Sequence, residues 1–578
     1  MPENFFKFIY DEYGNTRKIS VTGRGCGVLS HKYTNKGTSF TSKERASLKL
    51  EGLLPPAIRS LKSQVENCRN VFKQKDTDIE KYVYLRSLYE RNVTLAHAVF
   101  ASDIALFMPI IYTPTVGYAC QHYSEMYRSP DGLFFYPGNI EQAEDILAMH
   151  GHRDIRIAVV TDNQGILGIG DQGAGGIAIC LGKLMLYTQG AGIAPWHCLP
   201  ISLDVGTDNQ ALLSDPNYLG WAHPRLSGEE YIRFIQRFAR AFRTVFPNAL
   251  CQWEDFSKQN AFAIRDAYLH DLISFNDDIQ GTGAVALAAI LTALRIKKEK
   301  LTEQVFLIHG AGAGGVGIAE QINFSLIEEG LSEKEAAGRI FTLDSRGLVT
   351  TNRKIEPYKV PFAKDPSNYP WLSVHKDAEL PGVIKNAKVT ILIGSSGQAG
   401  CFDKSIIEAM LANTPRPVVL PLSNPTSSCE ARPQDICDWS GGNVLLSTGS
   451  PFGTVDMDGC SIRVGQCNNV FAFPGVGLGM LVSGAREVKP SFFAAAARVI
   501  SKMVPSADEK KGILMPRLNE LRKVSREVAI KVAMTAAQEG VSGLCVYSSF
   551  QHDNDPEKIR LLIDKIRWKP KYLPLVPA

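Results

Sequence analysis

Two pairs of adjacent carboxylates are the groups in this sequence best suited to chemistry. They are Glu254-Asp255 and Asp277-Asp278, and large apolar residues flank both pairs. A single acidic pair is more often a surface feature or a helix cap, but the apolar neighbours weaken that interpretation. Carboxylate oxygens are hard ligands that suit Mg²⁺ or Mn²⁺. The two pairs therefore predict a divalent-cation site where the fold brings them together.

A glycine-rich loop further along the chain has the form of a dinucleotide site. Gly310, Gly312 and Gly315 follow the apolar run 305–308, as in a strand–loop–helix unit that binds a pyrophosphate. A later apolar run ends at Asp344, where a carboxylate can accept a hydrogen bond from a ribose hydroxyl. The interval before Asp344 exceeds the usual ~20 residues, and a longer helical connection would account for it.

A second GxGxxG match at 168–173 competes for the same role. It contains Asp171, and a carboxylate inside the loop would repel a pyrophosphate. The loop at 310–315 also has the better context, because an apolar strand precedes it and a segment compatible with a helix follows it. Loop 310–315 is therefore the preferred dinucleotide site.

Lys183 and Tyr112 are the candidate base and acid. Lys183 precedes the apolar run 184–187, and burial favours the neutral form of a lysine, which makes it a candidate general base. The alternative is a lysine that lies along an amphipathic helix with its ammonium in water. Tyr112 stands before a proline turn, and taken alone it fits a core aromatic residue better than an acid.

The elements that must position these groups alternate between strands and helices. After an irregular lead-in interrupted by glycines, residues 42–127 show helical periodicity. Strands and helices alternate over 155–274 and again over 281–447, which predicts parallel sheets covered by helices. Five short apolar strands in the second block fit a doubly wound, Rossmann-type domain. The predicted fold class is a multi-domain α/β protein with helical terminal regions.

The predicted domains are an N-terminal arm and helical region at 1–130, a metal-binding α/β domain at 131–277 to which 467–540 return, a Rossmann domain at 278–466, and a tail at 541–578.

Composition disfavours several other classes of protein. A net charge of +4 over 578 residues gives no reason to expect nucleic-acid binding. The longest apolar stretch, near 284–294, is too short to span a bilayer, and the N-terminal residues resemble no targeting signal. The 12 cysteines show no metal-ligand spacing, as in a protein with reduced thiols. A cytoplasmic location without membrane or nucleic-acid partners is expected.

Together these motifs resemble the malic enzyme family. The resemblance covers about residues 30–545. Its matching segments, in order, are residues 35–40, 112–117, 168–173, 182–184, 254–256, 276–282, 423–426, 449–452 and 466–469.

The resemblance implies oxidative decarboxylation of L-malate to pyruvate and CO₂ with reduction of NAD, and also decarboxylation of oxaloacetate. It implies a dependence on Mg²⁺ or Mn²⁺ and a homodimer or homotetramer. By this resemblance the metal ligands are Glu254, Asp255 and Asp278, the general base is Lys183 with Asp277 assisting, and the general acid that protonates the enolate carbon is Tyr112. The residues that contact the substrate and the nicotinamide ribose are Asn424 and Asn469. Further contacts to the cofactor come from Asp278, Gly310, Gly312, Gly315 and Asp344.

One position departs from the family pattern. Gly165 stands where the family has an arginine that clamps the substrate carboxylate, a strong and oriented contact. Malolactic enzymes, close relatives that convert malate to L-lactate and CO₂ with tightly held NAD, also carry glycine there. Segments 111–114 and 449–452 are more similar to malic enzymes. Malic enzyme activity is therefore the preferred hypothesis, and malolactic activity is the alternative.

The choice of cofactor depends on the residues near Asp344. A carboxylate there favours NAD through the ribose 2′-hydroxyl. Ser345, Arg346 and Lys359 could instead receive the 2′-phosphate of NADP. NAD is preferred, with NADP as the alternative.

Overall fold

Two mainly parallel sheets, each covered by helices, form the centre of the fold. The computed structural model describes residues 5–130, 132–149, 154–166, 168–373, 375–457, 459–543 and 555–578. The predicted boundary at residue 131 and part of the predicted tail, 544–554, lie outside the described residues. The multi-domain α/β prediction is confirmed by the two sheets, whereas the domain boundaries stay a prediction.

The N-terminal region begins with a hairpin rather than with the irregular lead-in expected from its glycines. The hairpin forms because Phe6 and Phe8 alternate with exposed residues and face the buried Ile19 and Val21. The elements are β1 Phe6–Tyr10, β2 Thr16–Val21, α1 Cys26–Ser30, α2 Ser42–Ser47, α3 Leu61–Lys73, α4 Asp78–Arg91, α5 Val93–Ser102, α6 Ile104–Ile111, α7 Thr115–Gln121 and α8 Tyr123–Met126.

The first parallel sheet has the strand order β3-β5-β4-β6-β7. Its elements are β3 Leu133–Phe135, α9 Ala143–Ala148, β4 Ile157–Thr161, α10 Ile177–Gly190, β5 Cys198–Leu203, α11 Gln210–Ser214, α12 Gly228–Val245, β6 Leu250–Trp253, α13 Lys258–Ala267 and β7 Ser274–Asn276. Strands β6 and β7 are parallel neighbours, with Trp253 paired to Asn276. Because both acidic pairs follow these strand ends directly, the sheet brings them side by side.

The second sheet has the order β10-β9-β8-β11-β12-β13-β16, and β10 is its antiparallel edge strand. The elements are α14 Thr282–Lys297, β8 Phe306–His309, α15 Ala313–Glu328, α16 Glu333–Gly338, β9 Ile340–Asp344, β10 Gly347–Leu348, α17 Leu380–Ala387, β11 Ile391–Gly394, α18 Lys404–Asn413, β12 Val418–Pro421, α19 Pro433–Ser440, β13 Leu445–Thr448, β14 Thr454–Met457, β15 Cys460–Arg463 and β16 Gly465–Gln466. All five predicted strands are confirmed as β8, β9, β11, β12 and β13. The expected longer connection before Asp344 is helix α16.

The C-terminal helices pack against helices α10 and α14. They are α20 Phe473–Ser483, α21 Pro490–Lys502, α22 Ser506–Glu509, α23 Leu521–Gln538 and α24 Pro556–Ile566, followed by strand β17 Leu575–Pro577. Helices α20 and α23 contact α10, and α21 contacts α14. Strand β17 pairs in parallel with β2, so the end of the chain completes a three-stranded sheet with the hairpin.

One helix in the described residues is long and apolar enough to cross a membrane, by length and composition alone. It spans Asp277–Lys297 and is longer than the apolar stretch predicted from sequence. Of its most apolar 18-residue segment, 72% is buried inside the protein. Such burial is typical of a core helix between packed layers.

Candidate metal and dinucleotide site

The predicted metal ligands converge at the carboxyl ends of β6 and β7. One oxygen from each of Glu254, Asp255 and Asp278 lies within 4.8 Å of the others. The Asp255 N–H donates to Asp278 Oδ2 at 2.7 Å, which holds the two loops together. Asp255 adopts a φ of 55°, a left-handed conformation that is uncommon outside glycine. Three carboxylate oxygens in this arrangement fit a hard divalent cation.

The charge of this cluster is out of balance. Burial first, and then the neighbouring carboxylates, raise the pKa of Glu254 to about 8 and that of Asp278 to about 6. The cluster contains four carboxyl groups, those of Glu254, Asp255, Asp277 and Asp278, and among the described residues the Lys183 ammonium is the cation that pairs with two of them, Glu254 and Asp277. An excess of buried negative charge favours a bound cation, so the residues fit the predicted metal.

Lys183 lies on α10 and is 2% exposed. Its ammonium pairs with Glu254 Oε1 at 2.8 Å and donates to Asp277 Oδ2. Burial alone lowers the pKa of Lys183, but Asp277 and Glu254 outweigh it and raise the pKa well above its usual value. The argument that burial favours a neutral lysine omitted these carboxylates, which act in the opposite direction. The role of Lys183 as general base stays a prediction.

Tyr112 follows α6 and lies beside Lys183. The Lys183 ammonium is 5.6 Å from the centroid of the Tyr112 ring. A Cβ at Gly182 would lie 2.9 Å from that ring, so the helix must carry glycine there for the ring to approach. Burial raises the pKa of Tyr112 well above its usual value, which keeps the phenol protonated and able to donate a proton.

Two side chains that the sequence analysis missed orient Glu254. Gln252 Nε2 donates to Glu254 Oε2 at 2.8 Å, and the Tyr187 hydroxyl donates to Gln252 Oε1. Tyr187 lies one helical turn after Lys183, on the same face of α10. That i,i+4 spacing was the sequence signal that could have identified it.

The glycine loop and Asp344 meet as the dinucleotide fingerprint predicts. Gly310 has a φ of 119°, and the N–H groups of Gly310 and Ala311 donate to Leu343 O at 2.9 Å each. A Cβ at Gly315 would lie 1.8 Å from Gly310 O, so only glycine fits at this turn into α15. The loop therefore opens at a helix N-terminus, where a pyrophosphate is stabilised.

Asp344 is held by two cations. Its carboxylate pairs with Arg353 Nη2 at 2.9 Å and with Lys359 Nζ at 3.1 Å. Lys359 also pairs with Glu356 at 2.7 Å. Burial acts to raise the pKa of Asp344, but Arg353 and Lys359 hold it below its usual value. The carboxylate is thus ionised and able to accept a hydrogen bond.

The metal cluster and the dinucleotide loop are direct neighbours. A Cβ at Gly314 would lie 3.7 Å from Asp278 O, and one at Gly317 would lie 2.2 Å from Ile279 O. The π-helical turn Asp277–Gly281 therefore packs against the start of α15. This close contact places a cation bound by Asp278 beside a cofactor bound by loop 310–315.

Comparisons with known proteins agree with this geometry. The family model described as "Malic enzyme, N-terminal domain" matches residues 89–269, and that described as "Malic enzyme, NAD binding domain" matches residues 279–537. A protein named NAD-dependent malic enzyme from Shewanella oneidensis is 40% identical over 563 residues, covering 96% of this chain and 98% of the relative. The chain belongs to the malic enzyme family.

Other members of the malic enzyme family support the same assignment. A relative of the same name from Shewanella pealeana is 42% identical over 528 residues, which cover 91% of this chain and 94% of the relative. The crystal structure of malic enzyme from Entamoeba histolytica is 21% identical, with a TM-score of 0.55, and the match covers 88% of this chain and 93% of that one. The latter likeness concerns the fold alone.

Two asparagines predicted from the malic enzyme resemblance also lie at the site. Asn469 Nδ2 donates to Asp277 Oδ2 and to Thr282 Oγ1, both at 3.1 Å. Asn424 Oδ1 accepts a hydrogen bond from Ser450 Oγ at 2.6 Å. Asn469 therefore contacts Asp277 directly, whereas Asn424 is fixed by the loop after β13. Their roles toward substrate and cofactor stay predictions.

Gly165, the departure from the malic enzyme pattern, packs against the metal ligands. Its N–H donates to Asp255 O at 2.7 Å. A Cβ at this position would lie 2.6 Å from Phe256 O and 2.9 Å from Asp255 O. The present backbone therefore has no room for a side chain at residue 165.

The first glycine loop has its own partners. Asp171, which argued against a pyrophosphate there, accepts from the Asp208 N–H at 2.9 Å and pairs with Arg225 at 3.2 Å. A Cβ at Gly168 would lie 3.1 Å from Asn424 O. Loop 168–173 thus lies between the two sheets, close to a predicted substrate contact.

Lys258 is a further residue that sequence analysis missed. It is exposed at the start of α13, three residues after Asp255. Its Cε would lie 3.4 Å, and its Nζ 3.9 Å, from a Cβ placed at Gly312. No carboxylate in the described part of the chain pairs with it. The signal in the sequence was its place in the segment that carries the metal ligands.

Proposed function

We propose that this protein oxidises and decarboxylates L-malate to pyruvate and CO₂ with reduction of NAD, and that it needs Mg²⁺ or Mn²⁺. The observation that carries the proposal is the position of Lys183. Its ammonium contacts both Asp277 and the metal carboxylate Glu254, beside a dinucleotide loop. The names of the Shewanella relatives, NAD-dependent malic enzyme, support the same reaction.

Glu254, Asp255 and Asp278 would hold the cation. A bound divalent cation polarises the carbonyl group and offsets the carboxylate charge that raises the pKa of Lys183. With that charge offset, Lys183 Nζ would act as the neutral amine and accept the hydroxyl proton of malate, and a bound nicotinamide would supply the acceptor for the hydride from C2. Asp277, which contacts the ammonium, stabilises the charge formed there.

Tyr112 completes the reaction. Loss of CO₂ from the β-keto acid leaves the bonding electron pair in an enolate, and the Tyr112 phenol donates its proton to the enolate carbon. The same step would serve decarboxylation of added oxaloacetate. Asn469, which contacts Asp277, would orient the substrate and the nicotinamide ribose together with Asn424.

NAD is the proposed cofactor, and NADP is the weaker alternative. Asp344 is ionised and lies at the end of β9, where it can bind a ribose 2′-hydroxyl. Lys359, the residue that could bind a 2′-phosphate, is already paired with Asp344 and Glu356. The carboxylate would also repel a 2′-phosphate.

Malolactic activity is a second candidate, and Gly165 is the observation that favours it. Without the family arginine, the substrate carboxylate loses a bidentate partner. The Gly165 backbone is packed on the metal loop, so the chain is built for glycine there. Lactate would form if the nicotinamide were reoxidised in place by pyruvate.

The proposal includes a homo-oligomer in the cytoplasm. Six of the exposed large apolar side chains lie in the N-terminal helical region: Leu53, Ile58, Val83, Leu106, Tyr118 and Tyr127. A second copy packed against this region would cover these side chains. None of the cysteines in the described residues forms a disulfide, as expected in a reducing compartment.

Product analysis tests the proposed function. Purified protein is incubated with L-malate, Mn²⁺ and either NAD or NADP, and reduced cofactor, pyruvate and lactate are measured. We expect NADH and pyruvate in equal amounts, with slower turnover on NADP. Lactate without net NADH would favour the malolactic reaction instead, and absence of every product would contradict both.

A further inference from the structure

A buried carboxylate joins the two loops that follow strands β11 and β12. Glu430 is 0% exposed. It accepts hydrogen bonds from Ser396 N at 2.8 Å and Ser396 Oγ at 3.0 Å. It also accepts from Ser423 N at 3.3 Å and from Ser423 Oγ. One side chain thus binds the backbone and the hydroxyl of a residue in each loop.

The contacts around Glu430 are closely packed. A Cβ at Gly394 would lie 2.5 Å from the Glu430 carboxyl carbon, so β11 must end in glycine for the carboxylate to fit. The Gly397 N–H donates to Ser423 Oγ at 2.9 Å, which adds a direct bond between the loops. No lysine or arginine in the described residues pairs with Glu430. A buried carboxylate is costly unless donors such as these compensate it.

The joined loops reach the two parts of the proposed active site. A Cβ at Gly310 would lie 2.2 Å from Ser395 O, and one at Gly314 would lie 3.2 Å from Ser395 Oγ. The first loop therefore supports the dinucleotide loop. Ser423 immediately precedes Asn424, the predicted contact to substrate and nicotinamide ribose.

We propose that Glu430 is a positioning residue for hydride transfer. By tying loop 395–398 to Ser423, it sets the distance between the bound pyrophosphate and Asn424, and so the placement of the nicotinamide against malate. The proposal rests on the proposed function. Misplacement by about 1 Å can cost about a hundredfold in rate, which makes the effect measurable.

The test compares Glu430→Gln with Glu44→Gln. Glutamine keeps the volume of Glu430 but presents an NH₂ group to backbone N–H donors that cannot reorient. Glu44 is a matched control in the N-terminal region, because it is buried and accepts from Lys36 Nζ, from Leu575 N at 3.0 Å and from Thr41 N at 3.1 Å. Both variants should lose thermal stability.

We expect Glu430→Gln to raise KM for NAD about tenfold and to lower kcat about tenfold. The dissociation constant of NADH, measured by fluorescence without malate, should rise by a similar factor. Glu44→Gln should leave all three values within twofold of the wild type. Equal kinetic constants in the wild type and Glu430→Gln, alongside comparable losses of Tm, would refute the positioning role.

If Glu430→Gln does not fold, two milder variants test the same positioning role. Ser396→Ala and Ser423→Ala each remove one hydroxyl donor and leave the carboxylate in place. Each should raise KM for NAD about threefold, and unchanged values in both would overturn the proposal. A wild type that binds NADH but does not turn over malate would contradict the proposed function, while the NADH measurements would still decide on Glu430.

Discussion

Two buried lysines in this protein have opposite electrostatic surroundings. Lys36, 5% exposed, pairs with Glu44, and burial lowers its pKa despite that partner. Lys183, 2% exposed, contacts Glu254 and Asp277, and its pKa is raised despite burial. Burial is nearly equal, so the number of nearby carboxylates decides the direction of the shift.

The difference separates a structural contact from a site. The Lys36–Glu44 pair is balanced, one cation to one anion, and Glu44 also accepts from the Leu575 N–H of β17. It therefore fixes the last strand to the N-terminal region. The cluster around Lys183 has more carboxylates than cations. Such an imbalance is stable only if protons or a metal ion compensate it.

Replacing Lys183 or Lys36 should give the largest difference in kcat between the two regions. We expect Lys183→Ala to lower kcat by about a thousandfold, since a general base contributes 10²–10⁴-fold, while Mn²⁺ binding is retained. Lys36→Met should leave kcat near the wild-type value but destabilise the fold by about 3 kcal/mol, because it leaves Glu44 buried and unpaired. Steady-state kinetics and urea unfolding check both. Near-normal turnover by Lys183→Ala would contradict its role as base.

The second-largest effect is expected on Mn²⁺ binding, when one carboxylate of the cluster around Lys183 is removed. Asp278→Asn removes one proposed ligand, and we expect the dissociation constant of Mn²⁺ to rise about a hundredfold. Asp508→Asn, which removes a buried carboxylate that pairs with Arg517, should not change Mn²⁺ binding. Titration calorimetry with Mn²⁺ measures both. An unchanged isotherm for Asp278→Asn would remove this residue from the ligand set.

Gly165 tests whether the metal loop depends on its neighbour. Gly165→Ala places a methyl group against Asp255 O and Phe256 O, so we expect the Mn²⁺ requirement to rise about tenfold. Gly165→Arg should do the same and should not lower KM for malate, because the present backbone cannot accommodate a clamp there. A lower KM for malate in Gly165→Arg would show that the loop can rearrange to the family geometry.

The sequence predicted the members of the site better than their electrostatics. Adjacent acids after apolar strands sufficed to predict that these carboxylates converge, and the glycine spacing sufficed to predict the tight turn into α15. The direction of the Lys183 pKa shift depends on the contacts of its ammonium with Asp277 and Glu254, and the sequence argument from burial did not include them. Strand β17 pairs with β2, and Glu430 binds two loops, through contacts that are distant in sequence. Local patterns carry no information about such contacts.

Asp344 offers a third charge cluster in which cations balance carboxylates. Arg353 and Lys359 hold Asp344, and Glu356 holds Lys359. Asp344→Asn leaves one uncompensated positive charge, so we expect KM for NAD to rise and KM for NADP to fall, each by about fivefold to tenfold. Initial rates with both cofactors measure the change. An unchanged ratio would mean that Asp344 does not discriminate at the 2′ position.

Lys258 completes the comparison as a lysine without any carboxylate partner in the described residues. Its ammonium lies beside Gly312, so we expect it to pair with the cofactor pyrophosphate. Because the site is exposed and screened by salt, Lys258→Gln should raise the dissociation constant of NADH only about threefold and weaken its dependence on ionic strength. Lys404→Gln, an exposed lysine near Glu408, is the control and should change neither. Equal salt dependence in Lys258→Gln and the wild type would place this ammonium outside the cofactor site, since a lost phosphate contact must reduce that dependence.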